Sequence, residues 1–247
     1  MTEKSKIPKN SNETKVISKT QKKKRVEVIS YEQEILRKGV HLMSLSIPVG
    51  YIFVSRELAL YVLIPMMLIA LSIDLLSKYD NFVRKYLYLY FGRMLRHHEK
   101  NNDPLILNGA SWVLISAVIT VLFFPKVIAV ISFMVLIVCD ISAALIGRRF
   151  GKHKIFDKSI EGTFAFIVSG FIITWIVGTI YRADIWFFIA GYLGSFFGGI
   201  VELYSTKLKV DDNLAIPISV GITMSIVNSF AYYYFDKEFL DLFQVHF

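Results

Sequence analysis

The chain has 247 residues, and 54% of them are hydrophobic, a larger share than ordinary soluble domains carry. The formal net charge of +8 is concentrated in the N-terminal tail and in a few short segments, which argues against nucleic acid as a partner. The single cysteine, Cys139, lies inside an apolar run and excludes an internal disulfide framework.

The N-terminal residues 1–27 are rich in Lys, Ser, Asn and Thr and poor in aromatic residues, which predicts a disordered basic tail. The segment QKKKR at 21–25 would favour anionic lipid headgroups by roughly 1 kcal/mol per basic residue near the membrane surface. We expect no cleavable signal peptide, because no cleavage site follows the first apolar run. The rest of the chain, 28–247, is predicted to form a single transmembrane helical domain.

Apolar runs of nearly 20 residues recur along this domain, and runs of that length can cross the hydrocarbon core of a membrane. The first candidate span is the weakest, because it is short and contains His41 and Pro48. The predicted fold class is all-α, a polytopic membrane protein with about seven transmembrane helices. The candidate spans are 39–55, 58–76, 105–124, 127–146, 162–181, 185–204 and 214–235.

Residues 78–100, KYDNFVRKYLYLYFGRMLRHHEK, alternate aromatic and aliphatic residues with Arg and Lys at roughly helical spacing. This pattern predicts an amphipathic helix that lies in the membrane interface. An ordinary cytosolic linker helix would show the same spacing.

The basic residues are distributed unevenly between the two sides of the membrane. If the N-terminus is cytosolic, the segments 1–38, 77–104, 147–160 and 204–213 face the cytosol and hold 24 of the 28 Lys and Arg residues. Cytoplasmic segments of membrane proteins carry such an excess. The sequence therefore predicts a multi-pass protein of the bacterial inner membrane or the endoplasmic reticulum, with its N-terminus in the cytosol.

Asp140 lies within the fourth apolar run, about two turns before Gly147. An ionisable residue inside a span is costly and is a functional hypothesis by default. Ala144 and Gly147 lie on the same helical face, so a bulky group could approach the carboxylate. The other interpretation is an acid that snorkels or is hydrogen-bonded within the bundle.

The next segment, GRRFGKHKIFDKS at 147–159, is both glycine-containing and strongly basic. Gly147 and Gly151 suggest tight backbone turns, and a new helix begins near Ser159, where free N–H groups form an anion site. Beside Asp140, this combination suits a metal-bound polyphosphate. A basic loop that follows the positive-inside rule would also explain the charges, and the P-loop motif is missing. The basic residues are Arg148, Arg149, Lys152, Lys154 and Lys158.

Further acids follow near the ends of later spans. Asp211, Asp212 and Asn213 open the last span, where such side chains act either as N-caps or as hard ligands for Mg²⁺. Because capping needs only one of them, the pattern favours ligands. Glu161, in the first turn of its helix, also has a simple explanation, since an acid there complements the helix dipole.

Several polar residues from different spans lie at one predicted membrane depth, which indicates a single cytosolic site. Lys38 and His41 are one turn apart at the start of the first span, and Asn108 could instead hold two helices together. The residues at the cytosolic ends of the spans are Lys38, Asn108, Asp140, Glu161, Glu202 and Asp212.

In this order the motifs resemble the membrane lipid-kinase family of dolichol kinase, phytol kinase and CTP-dependent diacylglycerol kinase, which is related to phosphatidate cytidylyltransferases. The resemblance covers about 35–221. The family often has G-D where this chain has Cys139–Asp140, and the D-D-N form is closer to the phytol and diacylglycerol branches. The motifs are R-K-x-x-H (Arg37, Lys38, His41), N-G (Asn108, Gly109), D-x-x-A-x-x-x-G-R-x-x-G (Asp140 to Gly151), K-S-x-E-G-T (Lys158 to Thr163), and E before D-D-N-x-x-x-P (Glu202, Asp211 to Pro217).

The resemblance implies transfer of the γ-phosphate of CTP, or of another nucleoside triphosphate, to a lipid hydroxyl with Mg²⁺ as cofactor. The residues expected to take part in catalysis are Asp140, Lys158, Glu161 and Asp212. Those expected to bind the nucleotide or its phosphates are Gly147, Arg148, Gly151, Lys152, Lys158, Ser159, Gly162 and Asn213. The expected metal ligands are Asp140, Glu202, Asp211 and Asp212.

Three other functions are compatible with parts of the pattern. A phosphatidate cytidylyltransferase would use the same Mg²⁺ and CTP but would release pyrophosphate. A transporter should show charges leading to both faces and inverted repeats, whereas the outer ends of these spans are almost free of charge. A purely structural membrane protein would leave the clustered acids unexplained.

Overall fold

Apolar helices account for most of the residues that the computed structural model describes, which are 31–91, 107–208 and 210–243. Nine α-helices lie in these ranges: α1 (Tyr31–Met43), α2 (Ser46–Ile52), α3 (Arg56–Tyr79), α4 (Asn81–Phe91), α5 (Gly109–Phe123), α6 (Lys126–Phe150), α7 (Ile160–Ile180), α8 (Ile185–Leu208) and α9 (Asp212–Phe235). Two short antiparallel strands, β1 (Lys154–Ile155) and β2 (Lys158–Ser159), join α6 to α7, and a 3-10 helix at Leu240–Phe243 follows α9.

Five of these helices, α3, α6, α7, α8 and α9, are long and apolar enough to cross a membrane. Helix α5 is also apolar but has 15 residues, fewer than the roughly 20 that a full crossing usually needs. The predicted all-α, polytopic membrane fold is confirmed. The sequence predicted about seven spans. Among the described residues, five helices are long enough to span a membrane, and α5 is a shorter apolar helix.

The predicted first span, 39–55, is not one helix. Helix α1 ends at Met43 and α2 begins at Ser46, with a turn between them. The break has a local cause, because Pro48 lacks an amide hydrogen and its ring would clash with the carbonyl group of Ser44 in a continuous helix. The segment is therefore divided into two short helices, of 13 and 7 residues.

Helix α6 forms the centre of the bundle. In its most apolar window 78% of the residues are buried inside the protein, against 17% in α3, although both helices are strongly apolar. Helices α1, α2, α5, α7, α8 and α9 all contact α6. A helix that is apolar all round and surrounded by other helices keeps its polar side chains away from lipid, so Asp140 is held in the protein interior.

Several helix termini lie together at one end of the bundle. This end, called the polar end below, contains the last turns of α3, α6 and α8 and the first turns of α5, α7 and α9. Two observations support the arrangement there: the Asn108 amide donates to Asp74 Oδ2 at 2.7 Å, and Lys158 contacts both α8 and α9. At the opposite end, the Lys126 ammonium donates to the Val54 carbonyl oxygen at 2.8 Å.

The predicted interfacial helix within 78–100 is partly described. Helix α3 ends at Tyr79, and a separate helix α4 begins at Asn81 with Val83, Arg84 and Leu87 more buried than their neighbours. Helix formation is thus as expected for this half, and its position in a membrane interface stays a prediction. The remainder of that segment and the predicted tail at 1–27 lie outside the described residues.

The polar end is expected to face the cytosol, because the basic residues concentrate there. We predict that a cysteine introduced at Lys154, which is exposed in the hairpin, is modified by a membrane-impermeant maleimide only after the inner face is made accessible. A cysteine at Lys237, exposed beyond the end of α9, should react from outside intact cells. Labelling of position 154 from outside would overturn the orientation. The native Cys139 is buried and gives little background.

Candidate functional site

Two lysines meet carboxylates from distant parts of the chain at the polar end. The first is Lys38 of α1, whose ammonium group pairs with Asp140 Oδ2 of α6, although 102 positions separate them in the sequence. Lys38 is only 5% exposed, so its charge depends on this partner. His41, one turn further along α1, has Nε2 at 3.8 Å from the same oxygen, too far for a hydrogen bond.

The second lysine is Lys158, at the end of the hairpin. Its Nζ donates to Glu202 Oε1 of α8 at 2.6 Å and to Asp212 Oδ2 of α9 at 2.8 Å. The Thr163 hydroxyl lies 3.5 Å from the other oxygen of Glu202. Lys158 therefore ties the start of α7 to both neighbouring helices.

Asp140 connects the two lysine groups. Burial disfavours the charged form of Lys158, but Asp212, Glu202 and Asp140 stabilise it, so that the pKa of Lys158 lies above its ordinary value. Asp140 thus acts on Lys158 as well as on Lys38. We call Lys38, Asp140, Lys158, Glu202 and Asp212 the lysine–carboxylate cluster. With all five groups ionised, it carries three negative and two positive charges.

The junction of α6 and α7 beside this cluster is unusually close. Ser159 caps α7, because its Oγ accepts a hydrogen bond from the Gly162 amide at 3.1 Å. A methyl group added to Gly162 would lie 2.8 Å from the Ala143 carbonyl oxygen and 3.2 Å from the Gly147 Cα. The junction therefore requires glycine for close helix contact.

The glycines do not have the role that the sequence suggested. In the described residues no glycine has a positive φ; Gly147 is helical, and Gly151 ends α6 in an extended conformation. The tight turn is made instead by Phe156 at the tip of the hairpin, with a φ of 56°. Gly147 and Gly151 serve packing around Ser159, because a methyl group on either would collide with its hydroxyl.

The other predicted phosphate-binding cations occupy different surroundings. Arg148 Nη2 lies 2.9 Å from Glu34 Oε2 of α1, and Glu34 is 1% exposed. Arg37 Nη2 contacts the other oxygen of Glu34 at 2.5 Å. Lys152 is exposed next to the hairpin. Arg148 is thus part of the attachment of α1 to α6, and an anion would have to share it with Glu34.

Glu161 is not part of the lysine–carboxylate cluster. It accepts a hydrogen bond from the His153 amide at 3.1 Å, and its Oε1 lies 2.8 Å from His153 Nδ1. Lys158 contacts Glu202 and Asp212 instead of Glu161.

Two predicted site residues act as helix caps. Asp211 Oδ1 accepts hydrogen bonds from the Asn213 amide at 3.0 Å and from its side-chain nitrogen at 2.8 Å. The Asn108 side chain accepts from the Ser111 amide at 3.0 Å. In the D-D-N motif, Asp211 and Asn213 thus form the cap, and Asp212 is the member that reaches Lys158.

Three polar residues at this end were missed from the sequence. Buried Asp74 holds the Asn108 amide, Glu34 holds Arg148, and His153 contacts Glu161. Asp74 could have been found by the argument applied to Asp140, since both acids lie inside apolar runs. Glu34 and His153 offered no comparable signal, because charged residues are ordinary in polar segments.

The chain is similar in sequence to several known proteins. An uncharacterized protein of Rickettsia prowazekii is 31% identical over 204 residues, which cover 79% of this chain and 95% of the relative. CTP-dependent diacylglycerol kinase 1 of Schizosaccharomyces pombe is 29% identical over 143 residues, 51% of this chain and 62% of the kinase. Dolichol kinase of the same yeast is 30% identical over 148 residues, 53% of this chain and 29% of that enzyme.

These matches support the resemblance to the membrane lipid-kinase family. The chain spans less than two thirds of the length of either yeast kinase, 62% of the diacylglycerol kinase and 29% of the dolichol kinase. No family model and no solved structure matches the chain.

The lysine–carboxylate cluster offers donors of the type that magnesium prefers. Its carboxylates are hard oxygen ligands, and its excess negative charge suits a divalent cation. Within the described ranges, no group of three or more His, Cys, Asp or Glu side chains is arranged to hold a metal ion. Mg²⁺ in nucleotide sites is commonly held by one or two carboxylates together with water and substrate phosphates. Binding of Mg²⁺ to these carboxylates stays a prediction.

The contact between α6 and α7 gives a test of the site's architecture. We predict that Gly162→Ala lowers the thermal unfolding midpoint in detergent by roughly 5 °C, because overpacking against a backbone carbonyl costs about 1–3 kcal/mol. Gly50→Ala is the matched control, since no atom lies within 4 Å of its added methyl group. Equal midpoints for Gly162→Ala and the wild type would show that the close contact is not a constraint.

Proposed function

We propose that the protein transfers the γ-phosphate of CTP, or of another nucleoside triphosphate, to the hydroxyl of a membrane lipid such as diacylglycerol or a polyprenol- or phytol-type alcohol. The observation that carries this proposal is the lysine–carboxylate cluster, which joins α1, α6, α8 and α9 to the start of α7 at one end of the membrane helices. The similarity to lipid kinases, among them one named as a CTP-dependent diacylglycerol kinase, supports the donor and acceptor classes.

The triphosphate is expected to bind at the junction between the hairpin and α7. Lys158 is charged and held by two carboxylates, so its ammonium group is already oriented when a phosphate arrives. The first amides of α7 and the side chain of Lys152 lie on the same connection. Phosphoryl transfer depends mainly on positioning and charge neutralisation, and these groups supply both.

Asp140, Asp212 and Glu202 supply the carboxylates of which one or two would bind Mg²⁺ together with the substrate phosphates. When bound, the ion neutralises charge on the phosphates during transfer. The lysines then have a second task, because they keep the carboxylates ionised and fixed in a region of low dielectric constant. Lys38 acts through Asp140 and is a positioning residue in this proposal.

The acceptor is expected to remain in the bilayer and to raise only its hydroxyl group to the site. The polar end coincides with the ends of the spanning helices, where the headgroups of lipids lie. A hydrophobic alcohol can therefore reach the phosphate without leaving the bilayer.

A direct assay tests the activity. Purified protein in nanodiscs is incubated with Mg²⁺ and γ-labelled CTP or ATP, together with diacylglycerol, dolichol, phytol or phosphatidate. We expect label in a phosphorylated alcohol and release of a nucleoside diphosphate. Pyrophosphate release with formation of a cytidine diphosphate lipid would indicate the cytidylyltransferase reaction instead. No labelled lipid from any combination would overturn the proposal.

Asp140 provides the first test of the site. We predict that Asp140→Asn lowers turnover by at least about 100-fold, because it removes a metal ligand and the partner of Lys38. Asp212→Asn should have a similar effect, since it also belongs to the cluster. Thermal unfolding of each variant is measured in parallel to separate lost chemistry from lost folding. Near-normal turnover by folded Asp140→Asn would remove Asp140 from the mechanism.

Lys158 provides a test of nucleotide binding with a control close by. We predict that Lys158→Ala raises the nucleotide KM by roughly tenfold or more and lowers kcat, because a buried, oriented phosphate ligand is lost. Lys154→Ala, in the paired strand but exposed, should change both constants less than twofold. If neither substitution changes the nucleotide KM, the basic residues of this loop serve only to orient the protein in the membrane.

A further inference from the structure

A cavity of about 630 Å³ lies between α6 and α7, on a different face of this helix pair from the one that carries the cluster. Ser142 and Ile146 line it from α6, whereas Asp140, Ala143 and Gly147 occupy the neighbouring face of that helix. Its volume is in the range of sites for small ligands. The residues that matter for its chemistry are Ile146, Phe164, Val168 and Ile172 along its walls, and His153 and Glu161 at its end.

The cavity extends along the membrane span. From Ile160 to Ile172 its lining covers about 18 Å of α7, at 1.5 Å per residue. This is close to half of the roughly 30 Å hydrocarbon thickness of a bilayer. The groove therefore has the length of one leaflet, and it begins at the polar end.

The walls of the groove offer little to a polar ligand. Two serines line it, but the Ser142 hydroxyl donates to the Val138 carbonyl at 2.9 Å and the Ser169 hydroxyl donates to the Ala165 carbonyl at 2.6 Å. Each hydroxyl thus satisfies its donor within its own helix. What remains exposed along the groove is hydrocarbon, which suits an alkyl or isoprenoid chain.

The end of the groove has the opposite character. Glu161 presents a carboxylate that is fixed by two hydrogen-bonding groups of His153, and 27% of its side chain is exposed. Glu161 follows Lys158 by three residues, so the groove ends next to the segment that carries the proposed phosphate ligand.

We propose that this groove binds the hydrocarbon chain of the acceptor lipid and that Glu161 accepts a hydrogen bond from the acceptor hydroxyl. The proposal rests on the proposed kinase function and adds the place where the acceptor lies. Charge selects the occupant: a neutral alcohol donates a hydrogen bond to the Glu161 carboxylate, whereas a phospholipid would bring its phosphate against it. The groove is accordingly a site for uncharged lipid alcohols of one-leaflet length.

Photolabelling tests occupancy without measuring activity. Wild-type protein in phosphatidylcholine nanodiscs is labelled with diacylglycerol that carries a diazirine in one acyl chain, and the labelled residues are mapped by mass spectrometry. We expect labels on groove residues such as Ile146 and Val168, and we expect unlabelled diacylglycerol to compete. Equal labelling by diazirine phosphatidylcholine, without competition by the alcohol, would mean that the groove holds bulk lipid and would overturn the proposal.

Kinetics of two matched tryptophan variants test its use by the enzyme. Val168→Trp fills the groove, and Ile176→Trp places the same side chain on an exposed part of α7 beyond the groove. We expect Val168→Trp to raise the KM for dioleoylglycerol at least fivefold, with nucleotide KM within twofold of wild type, and Ile176→Trp to change neither. An unchanged acceptor KM for folded, active Val168→Trp would overturn the proposal.

Glu161→Gln tests the polar end of the groove. We expect it to raise the acceptor KM and to leave the nucleotide KM within twofold, because the charged hydrogen-bond acceptor is lost while the side-chain shape is kept. A change in nucleotide KM alone would place Glu161 on the phosphate side and overturn its assignment to the acceptor. These results are distinguishable from failure of the proposed function, in which the wild-type protein itself phosphorylates no lipid of the panel.

Discussion

Charges placed inside a helical bundle must be neutralised locally, and this requirement organises the polar end of the protein. Lys38 and Lys158 are largely removed from solvent; Lys38 pairs with Asp140 of α6, and Lys158 pairs with Glu202 of α8 and Asp212 of α9. An unpaired charge in such a place costs several kcal/mol, so the ion pairs constrain how α1, α6, α8 and α9 are placed. Asp140 interacts electrostatically with both lysines, so displacement of one helix would change the electrostatic interactions of the whole cluster.

Small side chains provide the second constraint, because they decide how near the charged elements can come. Gly162 allows the start of α7 to approach the Ala143 carbonyl, and Ser159 fits between the two helices as the cap. The same junction separates two chemical surfaces. The cluster with its lysines lies on one face, and the apolar groove that ends at Glu161 lies on another. In the proposed function, a nucleotide and a lipid would approach one short segment from different directions.

Much of this architecture could be predicted from the sequence. Six of the seven predicted spans correspond to helices, because the length of an apolar run is a strong signal when backbone groups must be satisfied within the segment. The exception is the first predicted span, which is divided between Met43 and Ser46 because the effect of Pro48 outweighs hydropathy. The pairing of Lys38 with Asp140 could not be deduced, since spacing along a chain does not give distances between helices. The position of Glu161 could not be deduced either. Neighbouring residues of a helix point about 100° apart, so a small error in where the helix begins changes which neighbours Glu161 meets.

The pairing of Lys38 with Asp140 also has a consequence for the biogenesis of the protein. The two residues are 102 positions apart, and Lys158 precedes Asp212 by 54. A ribosome therefore delivers Lys38 well before Asp140, and Lys158 before Glu202 and Asp212. The pairing of Lys38 follows the synthesis of α6, and Lys158 gains these two partners as α8 and then α9 follow. Insertion of the last long helix is thus the step that completes the ion pairs, and a truncated nascent chain would present uncompensated charge to the quality-control machinery of the membrane.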